Sequence, residues 1–545
     1  MSVHTRFMIM KVERMSNKKN LYQYDYFELY QLIEEHGSGR KAAAFLEVAR
    51  TTFQDRYAEL KAAAFSDRII VNPIKIELDE PVKRFIFTSA QDGTSVHEPF
   101  LVNLLEYAEF LDAELMVAGF TYNKKLFEDH SKYTASFNEK IRPYLMNDRL
   151  EIGGRVVFCG EMNTLPTAVN PLSGFETYTG AKWGIFPHAK VQLQSIPTMK
   201  ETLSKVIMTT GAITLPNYVP KKAGIKAEYH HIQSAVLLEI MQDGTFFCRH
   251  LMAEKDGSFQ DLDIKVSNGK LKFHQTIEGI THGDIHLEVI DHAIEKVVWE
   301  GKESIVDTLK PKFQFFEDTT DFRERNHHRI MDPHHMYEMF IHGIDSIETS
   351  FTEVAKFLNK TQRNFSESII VESNHDLAFE RWLKTADYRY DPVNAELFLK
   401  SQLACYNAIK EGDKRFSIFE HTVCRLAREK NIPIGAVQFL REDDSFLICP
   451  DDGKGGIECG LHGHVGGDGA RGTVRQFTKF GPRMNTAHIH KASIIDGVYS
   501  AGTYSQLDLG WNRGPSSWNH SLIVTYPSSK RGIVTIQNGL WRAPL

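Results

Sequence analysis

The sequence predicts an α/β protein in three parts: a helical module over residues 1–84, an α/β domain over 85–270, and a second α/β domain over 271–545 with a strand-rich tail. Three observations predict this. Apolar residues recur at helical spacing through residues 22–62. From Lys83 onward, short β-branched and aromatic runs alternate with amphipathic stretches, the pattern of mixed sheets covered by helices. And 545 residues exceed what one ordinary hydrophobic core organises.

The first module reads as helix, break, helix. YQYDYFELYQLIEEH places Phe27, Tyr30 and Ile33 on one face, Gly37-Ser38-Gly39 interrupts, and RKAAAFLEVARTTFQDRYAELKAAAF continues with Ala43, Leu46, Phe53, Tyr57 and Leu60. The stretch from Gly37 to Lys61 resembles a helix-turn-helix. Its small residues Ala42, Ala43 and Ala44 allow close packing, and Phe53, Tyr57 and Leu60 anchor the second helix. That resemblance leaves Arg50, Thr52, Gln54 and Arg56 to face a DNA groove or its phosphates. Two residues depart from it: Glu47 stands where the turn usually has Gly, and Ala49 where Ser or Thr would cap the helix. Residues 1–84 carry 14 Lys and Arg against 12 Asp and Glu, so charge alone does not favour DNA over a helical hairpin used for self-association.

In the middle domain, RIIVNPIKIEL and KRFIFTSA read as strands, Pro99 to Asp112 as a helix and ELMVAGFTY as a buried strand. FIFTSAQDGTSVHEPFLVNLLEYAEF reads as a strand, a polar loop and a helix, but Asp92 and His97 stand too far apart to chelate one cation from a strand end, so a non-catalytic role is expected. No internal repeat is visible in the sequence.

Composition narrows the function. The chain is 42% hydrophobic and 25% charged, and no apolar run reaches the ~18 residues that span a bilayer, so no membrane role is expected. The first twenty residues scatter their charges and lack an apolar core, which does not read as a signal peptide. Six cysteines form no C-x-x-C pair, which argues against zinc ribbons and fits a reducing cytoplasm. A net charge of -6 argues against a passive DNA-coating protein but not against an enzyme whose bound cations supply positive charge. The 24 histidines concentrate after about residue 280.

There, acids and histidines end apolar runs. Asp284 and His286 are two apart, which puts both side chains on one face of a strand end. PKFQFFED runs into Asp318, with Asp321 close behind as an alternative. SESIIVESNHD runs into Asn374, His375 and Asp376. ECGLHGHVGG carries His462, with His464 as its alternative, and MNTAHIHKAS carries His488 and His490. Each element alone is weak, but five in order are hard to assign to chance.

This order resembles the calcineurin-like metallophosphoesterase superfamily, over about residues 275 to 545. The resemblance implies a β-sandwich flanked by helices and two divalent cations ~3.5–4 Å apart that bind phosphoryl oxygens and activate water. One cation takes Asp284, His286, Asp318 and His490; the other shares Asp318 and takes Asn374, His462 and His488. His375 stays unligated and donates a proton to the leaving oxygen or steadies the developing charge. A mixed oxygen and nitrogen shell suits manganese, with iron or zinc as alternatives. Glu317, Ser373 and Ala487 stand where the superfamily has Gly.

The order of parts also resembles the pre-early nucleases of tailed phages of the T-five type, associated with destruction of host DNA, and the chemistry of SbcD-type nucleases. That resemblance implies a metal-dependent DNase, acting on DNA in the bacterial cytoplasm as a homo-oligomer. Two alternatives stand beside it: a nucleotide phosphodiesterase or phosphatase on the same metal core, and a DNA-binding regulator with a degenerate phosphoesterase fold.

Overall fold

The computed structural model describes residues 20–64, 73–122, 136–327, 329–450, 453–510 and 512–545. The amino-terminal stretch judged not to be a signal peptide, residues 68–72 of the first strand-like run and His328 fall outside them. The chain divides into two compact units, Met1–Asn72 and Pro73–Leu545.

In the first unit three helices, Tyr26–His36, Gly39–Phe45 and Arg50–Ala64, close over Leu21, Leu29, Ala42, Ala43 and Phe53. Asp25 caps the first by accepting from the Glu28 amide at 2.8 Å, and Gly37 ends it with φ at 74°. Ser38 caps the second. Glu47 sits in the tight connection to the third helix with φ at 61°, a left-handed conformation that Gly adopts without strain. Arg50, Thr52 and Gln54 are exposed. Arg56 is not: it pairs with Glu59 at 3.0 Å and its guanidinium lies over the Tyr22 ring, so packing turns it onto its own module.

The second unit is a mixed α/β structure built on extended sheets. Six strands run in the order Val437–Phe439, Glu367–Val371, Phe313–Glu317, Gly279–Thr281, Ser521–Thr525 and Arg531–Thr535, the first four mutually parallel. On one face, helices His292–Trp299, Ile347–Thr361, Asp376–Thr385 and Ile418–Glu429 bury Val298, Phe351, Phe379 and Val423 against Phe316, Ile370 and Leu522. On the other, Phe315, Ile369 and Val371 pack on Ile448, Ile457 and Cys459 of a second sheet. Each fully buried side chain of this size contributes roughly 1.5–3 kcal/mol.

That second sheet has eleven strands and does not respect the expected domain limits. It begins with Ile74–Ile76, which lies before residue 85, so the division falls at 72/73 and not at 84/85. Its centre joins Leu193–Ile196 to Ser493–Ile495, with Gln194 opposite Ser493, so the sheet runs uninterrupted across the expected 270/271 limit. A four-stranded sheet, Phe246–Met252, Ser234–Met241, Val82–Gln91 and Ala113–Phe120, completes the middle segment. Helix Glu98–Leu111 packs on it through Phe100, Leu104 and Tyr107. Among the described residues no helix is long and apolar enough to cross a membrane.

Candidate metal centre

Parallel strands aim their carboxyl ends one way, and the segments that follow them converge. Asp284 and His286 follow Gly279–Thr281, Asp318 follows Phe313–Glu317, and Asn374 and His375 follow Glu367–Val371. From the other sheet, His462 follows Ile457–Glu458 while His488 and His490 follow Arg483–Thr486. Four of these residues, His286, Asp318, His488 and His490, have φ between 44° and 69°. Left-handed backbone is uncommon outside Gly and Asn, and its clustering marks a site the surrounding fold holds under strain.

The convergence produces two groups of ligand atoms, each within 4.8 Å of one another: Asp284, His286, Asp318 and His490, and then Asp318, His462 and His488. Asp318 belongs to both. His490 Nε2 lies 3.0 Å from Asp284 Oδ2 and 3.1 Å from His286 Nε2. His462 Nε2 lies 3.2 Å from Asp318 Oδ2. Asp284, His286, Asp318 and His462 are all buried.

Whether cations fit can be decided from the electron pairs. Neither Asp318 oxygen has a hydrogen-bond partner, nor does Asn374 Oδ1 or His462 Nε2. Two imidazole nitrogens 3.1 Å apart repel unless a proton or a cation stands between them. Burying a carboxylate this way costs several kcal/mol without compensation. Lone pairs from carboxylate and imidazole gathered within 4.8 Å of one another are the donor set of a transition-metal site. The buried clusters could therefore hold metal ions.

Glu317, next to Asp318, bears directly on the cluster. Its Oε2 lies 3.0 Å from His462 Nδ1. A proton shared there fixes the tautomer and turns the Nε2 lone pair toward Asp318. Burial raises the Glu317 carboxyl to about 7, against the lowering effect of His462. Burial would keep His462 uncharged, but Asp318, Glu317 and Asp284 together raise its proton affinity well above the usual value. A cation bound here competes with that proton.

Of the two alternatives, His464 is engaged elsewhere, with Nε2 2.8 Å from Glu442 Oε1. Asp321 joins a third group with His286 and His375 and does not share the position of Asp318. Its backbone carbonyl accepts from His375 Nδ1 at 2.8 Å. Glu288 holds that loop by accepting from the Asp321 amide at 2.7 Å. The orienting positions of Glu317 and Asp321 are the features that sequence reasoning missed; the only signal was that each adjoins or closely follows an expected ligand. In the His-rich 326–335 segment, His335 is occupied by the Arg323 carbonyl at 3.0 Å, away from the centre.

A cavity of about 1010 Å³ opens over the cluster, lined by Asp318, His375, His488 and His490 together with Arg471, Arg475 and Lys491. Trp518 closes one side, its ring 4.2 Å from that of His490.

Protein A1 of Escherichia phage T5 is 39% identical to this chain over 472 residues, covering 84% of the chain and 82% of that protein. The chain belongs to the Protein A1 family. No family model matches it. No solved structure matches it either. The A1 relationship is therefore a relationship to a phage protein, and the chemistry of the A1-family centre rests on the residues described above.

Proposed function

We propose that this A1-family protein is a metal-dependent DNase of the metallophosphoesterase type, acting on host DNA in the bacterial cytoplasm. The observation that carries the reading is Asp318, a buried carboxylate shared by two groups of imidazole and carboxylate ligands. Asp284, His286, Asp318 and His490 would hold one cation, and Asp318, Asn374, His462 and His488 the other. Manganese suits this mixed shell, with iron or zinc as alternatives. Such a pair, when bound, neutralises charge on the phosphate and activates water.

The chain's own groups do the rest. His375 donates its Nδ1 proton to the Asp321 carbonyl, so Nε2 is left for the substrate, and the ring lines the cavity. Burial lowers its proton affinity, but the charges of Asp318 and Asp321 outweigh this and favour the protonated ring. As the oxygen of water bonds to phosphorus and releases a proton to solvent, the opposite P–O bond breaks and His375 Nε2 gives its proton to the departing ribose oxygen. Glu317 keeps His462 in the required tautomer.

The amino-terminal helices serve DNA capture in this reading, with Arg50, Thr52 and Gln54 outward, and the protein works as a homo-oligomer. A cleavage assay with manganese on linear and supercoiled plasmid DNA, with Asp318→Ala as control, tests it. Cleavage by the wild type alone supports the reading. Hydrolysis of small phosphodiesters without cleavage of either DNA replaces it with a nucleotide phosphodiesterase. Absence of both, with no bound transition metal, replaces it with a regulator.

A further inference from the structure

The strand pairing of the second unit repeats itself although the sequence shows no repeat. The four-stranded sheet runs Phe246–Met252, Ser234–Met241, Val82–Gln91, Ala113–Phe120, with pairings antiparallel, antiparallel, parallel. Four strands of the six-stranded sheet, Arg531–Thr535, Ser521–Thr525, Gly279–Thr281 and Phe313–Glu317, carry the same pairings in the same chain order.

The eleven-stranded sheet is built alike on both sides of its centre. Outward from Leu193–Ile196, the pairings are antiparallel to Lys205–Thr209, parallel to Trp183–Phe186, parallel to Val156–Cys159 and antiparallel to Arg149–Ile152. Outward from Ser493–Ile495, they are antiparallel to Val498–Ser500, parallel to Arg483–Thr486, parallel to Ile457–Glu458 and antiparallel to Leu447–Ile448. The two arms meet antiparallel, as a two-fold axis requires. Isolated bridges repeat too. Ser89 pairs with Ala212 as Asp284 pairs with Thr503, and Val96 with Thr214 as Ile290 with Ser505. Gly211 and Gly502 occupy matching crossings, where a Cβ would strike Ser234 in one and Asn519 in the other.

These equivalences place Ser89 where Asp284 stands, and His188 and Lys190 where His488 and His490 stand, each counted from matching strand ends. A hydroxyl replaces a carboxylate, and an ammonium without a lone pair replaces an imidazole. Lys190 Nζ donates to the Val169 carbonyl at 2.6 Å and pairs with Asp496 at 2.5 Å, so its own charge fills the place. His188 accepts from the Lys190 amide at 2.9 Å through Nδ1 and donates to the Leu165 carbonyl at 3.2 Å through Nε2, so both nitrogens are committed. The cavity there is only about 50 Å³, walled by Pro166, Val169 and helix Lys222–Tyr229.

The first half still contributes to the large cavity. Asn170, Ser173, Glu176, Gln192 and Gln194 line it together with Arg471, Arg475 and Lys491. None of those three cations has an ion pair among the described residues. We infer that residues 82–252 are a second copy of the fold of residues 279–535 that has lost its metal site and serves as the fixed wall of the substrate cavity, against which a nucleic-acid strand lies. The substrate part rests on the proposed DNase reading; the duplication does not.

Two measurements on the full-length protein test this. Elemental analysis of the manganese-loaded wild type should give about two ions per chain, and Lys190→Met should keep that number. Four ions per chain, or loss of metal in His188→Gln with the fold intact, overturns the metal-free assignment. For the wall, Gln194→Glu puts a carboxylate where the strand is to lie. It should raise KM for a 30-nucleotide DNA at least ten-fold more than KM for bis(p-nitrophenyl) phosphate. An equal change on both substrates, or none on either, overturns the wall. Failure of the wild type on both substrates defeats the DNase reading, while the ion count still decides whether the first half is metal-free.

Discussion

The backbone carbonyl of Asp321 accepts the Nδ1 proton of His375 at 2.8 Å, and the Asp321 carboxylate stands 3.6 Å from the same nitrogen. One residue thus holds the ring by its main chain and biases its charge by its side chain. His375→Ala should lower DNA cleavage by about 10²–10⁴-fold, the usual contribution of a positioned acid, with metal content unchanged. Asp321→Asn keeps the carbonyl and should cost about ten-fold in kcat with KM little altered. Steady-state kinetics of both variants settle the matter, and full activity in His375→Ala removes its assignment.

Glu317 makes a different prediction, because it acts on a ligand and not on the substrate. Glu317→Gln should weaken metal affinity about 10–100-fold, as loss of an orienting carboxylate commonly does. Titration of the metal-free protein with manganese reads this directly. Unaltered affinity would mean that the 3.0 Å contact with His462 has no part in holding a cation.

The Asp318 oxygens, buried without a hydrogen bond, predict a stability effect. Metal at a hundred times its Kd should stabilise the fold by about 2.7 kcal/mol through mass action. Manganese should therefore raise Tm and a chelator lower it, with the difference lost in Asp318→Ala. A Tm indifferent to metal would argue that the cluster holds none.

Three buried histidines away from the centre predict acid lability. Burial lowers His188, His231 and His250 to about 4 each, despite backbone carbonyls that favour the proton. The folded value lies below the ordinary 6.5, so the unfolded chain takes up protons first as pH falls. Their contribution is complete above pH 6.5 and is lost between 6.5 and 4, at up to ~1.4 kcal/mol per pH unit for each. Denaturant unfolding of chelated protein at pH 6.5 and 4.5 should show it. His250→Gln should reduce the slope, and an identical slope in that variant sinks the account.

Much of the centre was legible because its spacings are local. Asp284 and His286, or His488 and His490, sit two apart at strand ends, and each strand announces itself by an apolar run. Asp321 was visible as an alternative to Asp318 and Glu317 as a neighbour of it, but their orienting roles depend on the loop conformations that bring them to His375 and His462. The packing of Arg56 on Tyr22 was not legible, because helical periodicity says nothing of a residue outside that helix. The domain limits failed for a deeper reason. Gln194 and Ser493 are opposed across some three hundred residues, and strand register at that separation leaves no periodic trace. The repeat escaped notice for the same cause: it lives in which strands pair and in which direction.

The junction between Leu193–Ile196 and Ser493–Ile495 also has a mechanical meaning. Backbone hydrogen bonds continue through it, so the cavity is spanned by one stiff girder with no hinge at its midpoint. The walls cannot swing apart to admit a chain and clamp down on it. Entry is then by the mouth of the cavity, beside the loop that carries Arg471.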